Sequence, residues 1–188
     1  RYGTVTGVQT CALPICEKGL DVLIDAFSRL AAQHPSALLR IVGDGPARAS
    51  LEQLVARLNL TDRVLFLGHC SHAETLQWIR RAWCVCVPSL WSEPFGMIAL
   101  EAQMHGVPVV ASAIGGLAEI LVDGQTGYYV APDDAVSLAE KLDWLISNPA
   151  GAASMGRAAH LSARRRFSLE RFATECESAF GQIGRAHV

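Results

Sequence analysis

Residues 83–112 read WCVCVPSLWSEPFGMIALEAQMHGVPVVAS, and this stretch decides the fold. The apolar run at 84–88 is typical of a buried parallel strand, and a second such run follows at 107–111. Between them lies a helix-compatible segment that passes through Glu101. A strand, a helix and another strand in this order predict two parallel strands joined by a crossover helix.

The same alternation extends over most of the chain. Helical spacing of apolar residues at 20–30 leads to LLRIV at 38–42, a helix at 48–58 leads to VLFL at 64–67, and a helix at 73–82 leads to the quoted strand. DGQTG at 123–127 indicates a turn, and residues 135–180 read as helical, interrupted by Pro149 and Gly151. We therefore expect an α/β fold, a Rossmann-like parallel sheet with helices on both faces.

Ligands of such sheets bind beyond the carboxyl ends of the strands. The loops that follow the predicted strands are GDGP at 43–46, GHCS at 68–71, SLWSEPFG at 89–96 and SAIGG at 112–116. The sequence fingerprint of dinucleotide-binding sites needs a third glycine at position 48, two residues after the first of these loops, and this chain has Arg48 there. Gly43 and Gly45 therefore indicate a tight turn whose backbone approaches a ligand, rather than a dinucleotide site.

Two carboxylates, Glu93 and Glu101, flank a predicted helix start. Pro94 suits the first turn of a helix and Gly96 permits close backbone approach, so a helix is expected to begin at 95–97. Its unpaired N–H groups would attract phosphate. Eight residues of helix span about 12 Å, which exceeds the roughly 5 to 9.5 Å between the carboxyl groups of a glycoside hydrolase. A ligand with hydroxyls at both ends and phosphate between them, such as a nucleotide sugar, fits this spacing; a solvated helix face is the alternative.

The chain resembles the retaining glycosyltransferases of the GT-B fold, family 4, whose motif has two glutamates separated by seven residues. Further segments that look like this family, in its usual order, are EKGLDVLIDAFSRL at 17–30, LRIVGDGP at 39–46, VLFLG at 64–68, GVPVVASAIGGLAEILVDGQTGYYVAPDD at 106–134 and RFSLERF at 166–172. The resemblance implies the C-terminal, donor-binding half of a hexosyltransferase.

The resemblance also implies roles for individual residues. Lys18 and the amides at Phe95, Gly96 and Met97 would stabilise the departing diphosphate, as the positive end of a helix can. Glu93 would hold sugar hydroxyls, and Glu101 would accept hydrogen bonds from the ribose. Backbone loops near the donor are expected at Gly43, Gly45, Gly115 and Gly116. No bound metal is expected, because members of this family generally need none and the proposed site has no DXD-like pair of carboxylates. No cofactor is expected either; the substrate is a nucleotide sugar such as a UDP, GDP or ADP sugar.

The partners implied are the nucleotide sugar and an N-terminal acceptor-binding domain that this chain lacks. The family usually has an arginine before the lysine of the EKG segment, and here that position falls in residues unlike the family. We therefore expect this chain alone to transfer no sugar. A cytoplasmic location is implied, with possible peripheral contact of the parent enzyme with the inner membrane.

Composition is consistent with one domain. The 188 residues are 51% hydrophobic with a net charge of −2, so the chain has no basic surplus of the kind that nucleic-acid binding requires. No apolar run reaches the length of about 18 residues that a membrane-spanning helix needs. The six cysteines show no zinc or disulfide-scaffold spacing and are expected to be reduced thiols.

The two ends of the chain look different from the rest. VTGVQTCALPI at 5–15 and IGRAHV at 183–188 resemble the translation of a sequencing-library adapter, as in a metagenomic fragment. We predict that residues 1–15 and 183–188 are not native and that the nucleotide-sugar-binding domain covers 16–182, and we leave both ends out of fold reasoning. The alternative is an ordinary N-terminal strand and a frayed tail.

Two functions of other classes remain open. An NAD-dependent oxidoreductase on a similar sheet would bind nicotinamide and tolerate Glu101→Ala. A binding module for nucleotide sugars without catalysis would share every feature above. Within the sugar class, phosphorylases, synthases and epimerases of the GT-B fold share parts of the architecture, although the EPFG sequence favours a transferase.

Overall fold

The computed structural model describes residues 4–8 and 16–185. Six parallel strands form one sheet in the order β3-β2-β1-β4-β5-β6, which is the strand order of Rossmann folds. The predicted parallel sheet is therefore confirmed. The strands are β1 (Thr4–Val8), β2 (Leu38–Val42), β3 (Val64–Gly68), β4 (Cys84–Val87), β5 (Val109–Ser112) and β6 (Gly127–Val130).

Helices cover both faces of this sheet, because successive strand residues point to opposite sides. In β4, Cys84 and Cys86 pack into one hydrophobic cluster, whereas Val85 and Val87 pack into the other. The first cluster lies under α1, α2 and α5, and the second lies under α3 and α4. The helices are α1 (Leu20–Ala31), α2 (Arg48–Arg57), α3 (His72–Arg81), α4 (Met97–Met104), α5 (Ala135–Ser147), α6 (Pro149–Arg166) and α7 (Leu169–Arg185).

The strand β1 differs from the expectation that left residues 1–15 outside the fold. Its backbone pairs with β2 along all five residues and with β4 at two positions. Without a strand here, the facing backbone groups of β2 and β4 would lie two strand spacings apart and unpaired. Residues 1–3, 9–15 and 186–188 lie outside the described part of the chain, so the adapter-like origin of both ends stays a prediction.

Three smaller differences concern the C-terminal half. GYYV at 127–130 forms strand β6, although the sequence analysis identified only the turn before it. Pro149 begins α6, in agreement with its predicted interruption of the helical segment. Gly151 was also expected to interrupt the helix, but it lies inside α6. The Trp144 ring packs against it, and an added Cβ would lie 2.7 Å from that ring. Helix α7 continues to Arg185, past the predicted helical segment at 135–180, while the proposed end of native sequence at 182 stays a prediction.

None of the helices in the described residues is both long enough and apolar enough to cross a bilayer.

Candidate functional site

Lys18 is brought to the carboxyl edge of the sheet by a tight contact between two loops. The carbonyl oxygen of Glu17 accepts a hydrogen bond from the Leu90 N–H at 2.7 Å. Gly19 has a left-handed backbone with φ of 61°, and an added Cβ would lie 2.0 Å from the Pro88 carbonyl oxygen. The turn Cys16–Lys18 is therefore fixed against the loop that follows β4.

Lys18 and Glu93 form an ion pair at this edge, between Nζ and Oε1. Both side chains are largely buried, with 13% and 15% of their surface exposed. The two residues come from the loops that follow β1 and β4, and these adjacent strands mark the point at which the strand order reverses. Rossmann-type sheets place their ligands at this point. The structure thus brings together Lys18 and Glu93, the two residues that the resemblance implies are catalytic, through the departing diphosphate and the sugar hydroxyls; these roles stay predictions.

Ser89 fixes the position of the same carboxylate, a role that the sequence analysis did not predict. Its hydroxyl donates to Glu93 Oε1 at 2.7 Å, and the residue is fully buried. The available signal was its place directly after the buried strand and Pro88, where a polar side chain must find a partner. Glu93 is therefore held from two sides.

The Gly115–Gly116 pair packs against the backbone of the Glu93 loop. The Gly116 N–H donates to the Glu93 carbonyl oxygen at 2.7 Å. A Cβ on Gly116 would lie 2.4 Å from the Pro94 carbonyl oxygen, and one on Gly115 would lie 2.6 Å from that of Glu93. No side chain fits at these distances, so the two glycines position Glu93. Their predicted contact with the donor stays a prediction.

The 3₁₀ turn Gly115–Glu119 is itself anchored from the sheet and from α6. The Tyr129 hydroxyl donates to the Leu117 carbonyl oxygen at 2.7 Å and accepts from the Leu121 N–H at 2.9 Å. Burial raises the pKa of the Tyr129 phenol, so this donor stays protonated. Arg166 of α6 donates to the carbonyl oxygens of Glu119 and Ile120.

Helix α4 begins at Met97 with its first N–H groups available to a ligand. Gly96 precedes it in a left-handed conformation with φ of 91°, and no side chain in the described residues caps this helix. Phe95 packs edge-on against Phe167, with ring centroids 5.7 Å apart, whereas the Met97 side chain is 57% exposed. An uncapped helix start beside Lys18 attracts anions.

Glu101 lies one turn into α4. Its Oε1 accepts a hydrogen bond from His72 Nε2 at 2.9 Å. His72 is the first residue of α3, within the capping box that Ser71 and Glu74 form. Its Oε2 is buried and has no hydrogen-bond partner among the residues that the structure describes. Leaving a buried carboxylate oxygen without a hydrogen bond costs free energy, so Oε2 favours a ligand that donates a hydrogen bond to it.

The sequence analysis did not predict the contact between His72 and Glu101. The estimate of about 12 Å also rested on a wrong premise, because only the segment from Met97 onward is helical. Met97 to Glu101 accounts for about 6 Å of rise, and the loop supplies the remaining separation. Two separate acceptors at one edge of the sheet are nevertheless present.

The GDGP loop at 43–46 lies at the same edge, after β2. The Gly43 N–H donates to the Gly68 carbonyl oxygen at 2.8 Å, and the Gly45 N–H donates to Asp44 Oδ1 at 2.8 Å. The first bond ties the loop after β2 to the end of β3, and the second lies within the loop. Contact of either glycine with a donor stays a prediction.

Within 4–8 and 16–185, no group of three or more His, Cys, Asp or Glu side chains could hold a metal ion.

The chain is similar to one protein-family model and to the two relatives described here. The family model described as glycosyl transferases group 1 matches residues 15–162. The chain is 37% identical over 158 residues to a glycogen synthase of Mycobacterium tuberculosis, covering 84% of this chain and 38% of that protein. It is 39% identical over 156 residues to the D-inositol 3-phosphate glycosyltransferase of Frankia alni, covering 76% of this chain and 38% of the relative.

A solved structure with the same fold is that of Anabaena HepE in complex with UDP-glucose. It matches with a TM-score of 0.84 and 27% identity, over 96% of this chain and 49% of that one. The chain thus spans less than half the length of each of these three proteins. Its sheet corresponds to the Rossmann-like C-terminal half of the GT-B fold.

Proposed function

Because this chain belongs to the glycosyl transferases group 1 family, we propose that it is the donor-binding half of an enzyme that transfers a sugar from a nucleotide sugar to an acceptor hydroxyl. The observation that carries the proposal is the meeting of Lys18, Glu93 and the uncapped start of α4 at one edge of the sheet. A cation and free amides suit a diphosphate, and the carboxylates on either side suit hydroxyls.

The diphosphate is the leaving group in this scheme. As the bond between the sugar C1 and the diphosphate oxygen breaks, negative charge grows on the diphosphate. Lys18 and the amides of the first turn of α4 stabilise that charge, because they are already oriented when the reaction begins. A positioned cation that is only 13% exposed acts more strongly than a solvated one.

Glu93 binds hydroxyls of the transferred sugar. Ser89, Lys18 and the Gly116 N–H fix its carboxylate and its backbone, so little freedom is lost when the sugar arrives. Glu101 accepts hydrogen bonds from the ribose through Oε2, the buried oxygen that lacks a partner among the described residues. The HepE structure holds UDP-glucose, which has both of these polyol groups.

Further properties follow from the family resemblance. We propose that the parent enzyme retains the anomeric configuration, because the other domain brings the acceptor to the face of the sugar from which the diphosphate departs. Acceptor binding belongs to that N-terminal domain, so the present chain alone is expected to bind donor without transferring sugar. The proposed location is the cytoplasm, with the parent at the inner membrane surface.

Calorimetric titration of this chain with UDP-glucose, GDP-mannose and ADP-glucose tests the proposal. We expect saturable binding, one ligand per chain, for at least one of the three bases, and no binding of NAD. Binding of none of the three sugars by a sample whose circular dichroism shows a folded α/β protein would contradict the assignment. NAD binding instead would favour an oxidoreductase.

Replacement of His72 by alanine is expected to weaken the binding of the preferred nucleotide about threefold to tenfold, the usual effect of losing one hydrogen bond. The reason is that His72 Nε2 fixes Glu101 Oε1. His69→Ala is the matched control, since its exposed ring lies in the loop before α3 and has no hydrogen bond to Glu101 among the described residues. Equal effects of the two substitutions on the dissociation constant would refute a role for His72.

A further inference from the structure

A cavity of about 570 Å³ lies at the amino edge of the sheet. Trp83 and Pro108 line it, and they directly precede β4 and β5, so the cavity is at the end of the strands opposite to Glu93. Three guanidinium groups also line it, from Arg80 and Arg81 at the end of α3 and from Arg157 of α6.

These three arginines lack acidic partners. No carboxylate of the described residues lies within 4 Å of their guanidinium nitrogens, whereas Arg48 and Arg171 each form an ion pair within their own helices. His105, on the cavity wall, has a lowered pKa because it is partly buried and lies close to Arg80. The cavity therefore carries uncompensated positive charge.

The positive region continues on the other side of Arg157. A neighbouring cavity of about 540 Å³ shares His105, Gly106 and Arg157 and extends to His160. His160 donates from Nδ1 to the Met104 carbonyl oxygen at 2.7 Å, which fixes its ring in the wall. Arg157 thus lies between two concave spaces, rather than on a flat surface.

Solvated arginines at helix ends are the simplest alternative. Arg80 and Arg81 occupy the last turn of α3, where cations offset the helix dipole. Two helix carboxyl ends, those of α3 and α4, supply in total about one negative charge, against three guanidinium charges. Val107 and Ala152 add apolar wall, which strengthens the attraction of the remaining charge for an anion. The positive charge of the three arginines is therefore larger than the carboxyl ends of α3 and α4 need, and the concave shape of the cavity is not explained by helix capping.

We propose that this cavity is a second binding site, which takes a small phosphorylated anion through Arg80, Arg81 and Arg157. One guanidinium group can donate two parallel N–H hydrogen bonds to the oxygens of a phosphate. The site is independent of the proposed donor function, because Lys18, Glu93 and Glu101 are not among the residues that line the cavity and the cavity lies at the other end of the sheet.

Indole N–H signals in ¹H–¹⁵N spectra separate the two sites. The chain has four tryptophans, of which Trp83 lines the cavity and Trp91 lies in the Glu93 loop. Inorganic pyrophosphate is titrated at constant ionic strength, with single Trp→Phe variants for assignment. We expect a saturable shift of the Trp83 signal whose midpoint is independent of any shift of Trp91.

Variants test whether the arginines cause that shift. Arg81→Gln combined with Arg157→Gln is expected to weaken the Trp83 response at least about tenfold, because charge-assisted hydrogen bonds are lost. Arg165→Gln, an exposed charge on α6 outside the cavity, is the control and should leave the response unchanged. Circular dichroism and thermal unfolding establish that each variant is folded.

Three results would overturn the proposal. These are no saturable shift of Trp83, an equal shift in the double variant and the wild type, or a response to sulfate and pyrophosphate alike that grows linearly with concentration. A parallel arm uses vesicles that contain phosphatidylglycerol. Vesicle binding that depends on Arg81 and Arg157, without a pyrophosphate response, would assign the region to a membrane surface instead.

Discussion

Replacement of Glu101 by glutamine is expected to weaken nucleotide-sugar binding by about tenfold to a hundredfold, the range for a lost hydrogen bond to a charged group. Glutamine keeps the shape of the side chain but replaces one carboxylate oxygen by an amide that cannot accept from a ribose hydroxyl. The free energy of unfolding should stay the same or rise, because Oε2 is buried and has no partner among the described residues. Calorimetry and chemical denaturation measure the two quantities.

The control for Glu101 is Glu140→Gln, which removes an exposed carboxylate from α5. We expect wild-type affinity from that variant. Unchanged affinity in Glu101→Gln and in Glu101→Ala would contradict the ribose contact, and it is the behaviour that an oxidoreductase on this sheet would show.

Replacement of Gly116 by alanine is expected to lower the free energy of unfolding by about 3 kcal/mol, the upper part of the range for overpacking. The added Cβ would lie within 2.4 Å of the Pro94 carbonyl oxygen and 2.6 Å of the Phe95 Cα, and neither backbone atom can move without shifting the Glu93 loop. Nucleotide-sugar affinity should fall as well, since that loop holds Glu93 and leads into α4. Urea denaturation and calorimetry test both parts.

Gly124→Ala provides the comparison for Gly116. Gly124 has a φ of 69° and no atom within 4 Å of an added Cβ, so alanine there meets backbone strain of about 1–2 kcal/mol without a clash. We expect a modest loss of stability and wild-type affinity. If Gly116→Ala were as stable as Gly124→Ala and bound nucleotide normally, the glycine pair would not position Glu93.

The sequence was sufficient to predict a parallel sheet, four of its six strands (β2 to β5) and the loops that follow them. Apolar runs of strand length that alternate with helical spacing specify a parallel sheet, and the loops after parallel strands must meet at one edge. This reasoning places Glu93 at that edge, whereas Lys18 follows β1, which the sequence analysis left out, so that its role rested on the resemblance alone. Their direct ion pair could not be predicted, because it depends on side-chain geometry.

The supporting residues were harder to predict because their partners come from other elements. Ser89 and His72 are ordinary polar residues in the sequence, and each gains its role from one hydrogen bond to a glutamate. Gly115 and Gly116 were expected to lie near the donor, and the structure shows that their lack of a side chain lets them pack against the Glu93 loop. Such roles are set by tertiary contacts rather than by local pattern.

Strands β1 and β6 show a different limit. The run at 4–8 was set aside because its sequence resembles an adapter, yet a gap between β2 and β4 must be filled by some strand for their backbone groups to pair. GYYV at 127–130 is short and follows a strong turn signal, so four residues of pattern did not distinguish a strand from a loop. In both cases pairing with a neighbour decides the structure.

The most direct test of the account is a crystal structure of this chain with UDP. The account predicts the diphosphate at the start of α4, with phosphate oxygens roughly 2.7–3.2 Å from Lys18 Nζ and from the Met97 amide, and the ribose hydroxyls on Glu101 Oε2. A nucleotide bound elsewhere, or one that leaves the Lys18–Glu93 pair and Glu101 without contact, would contradict it.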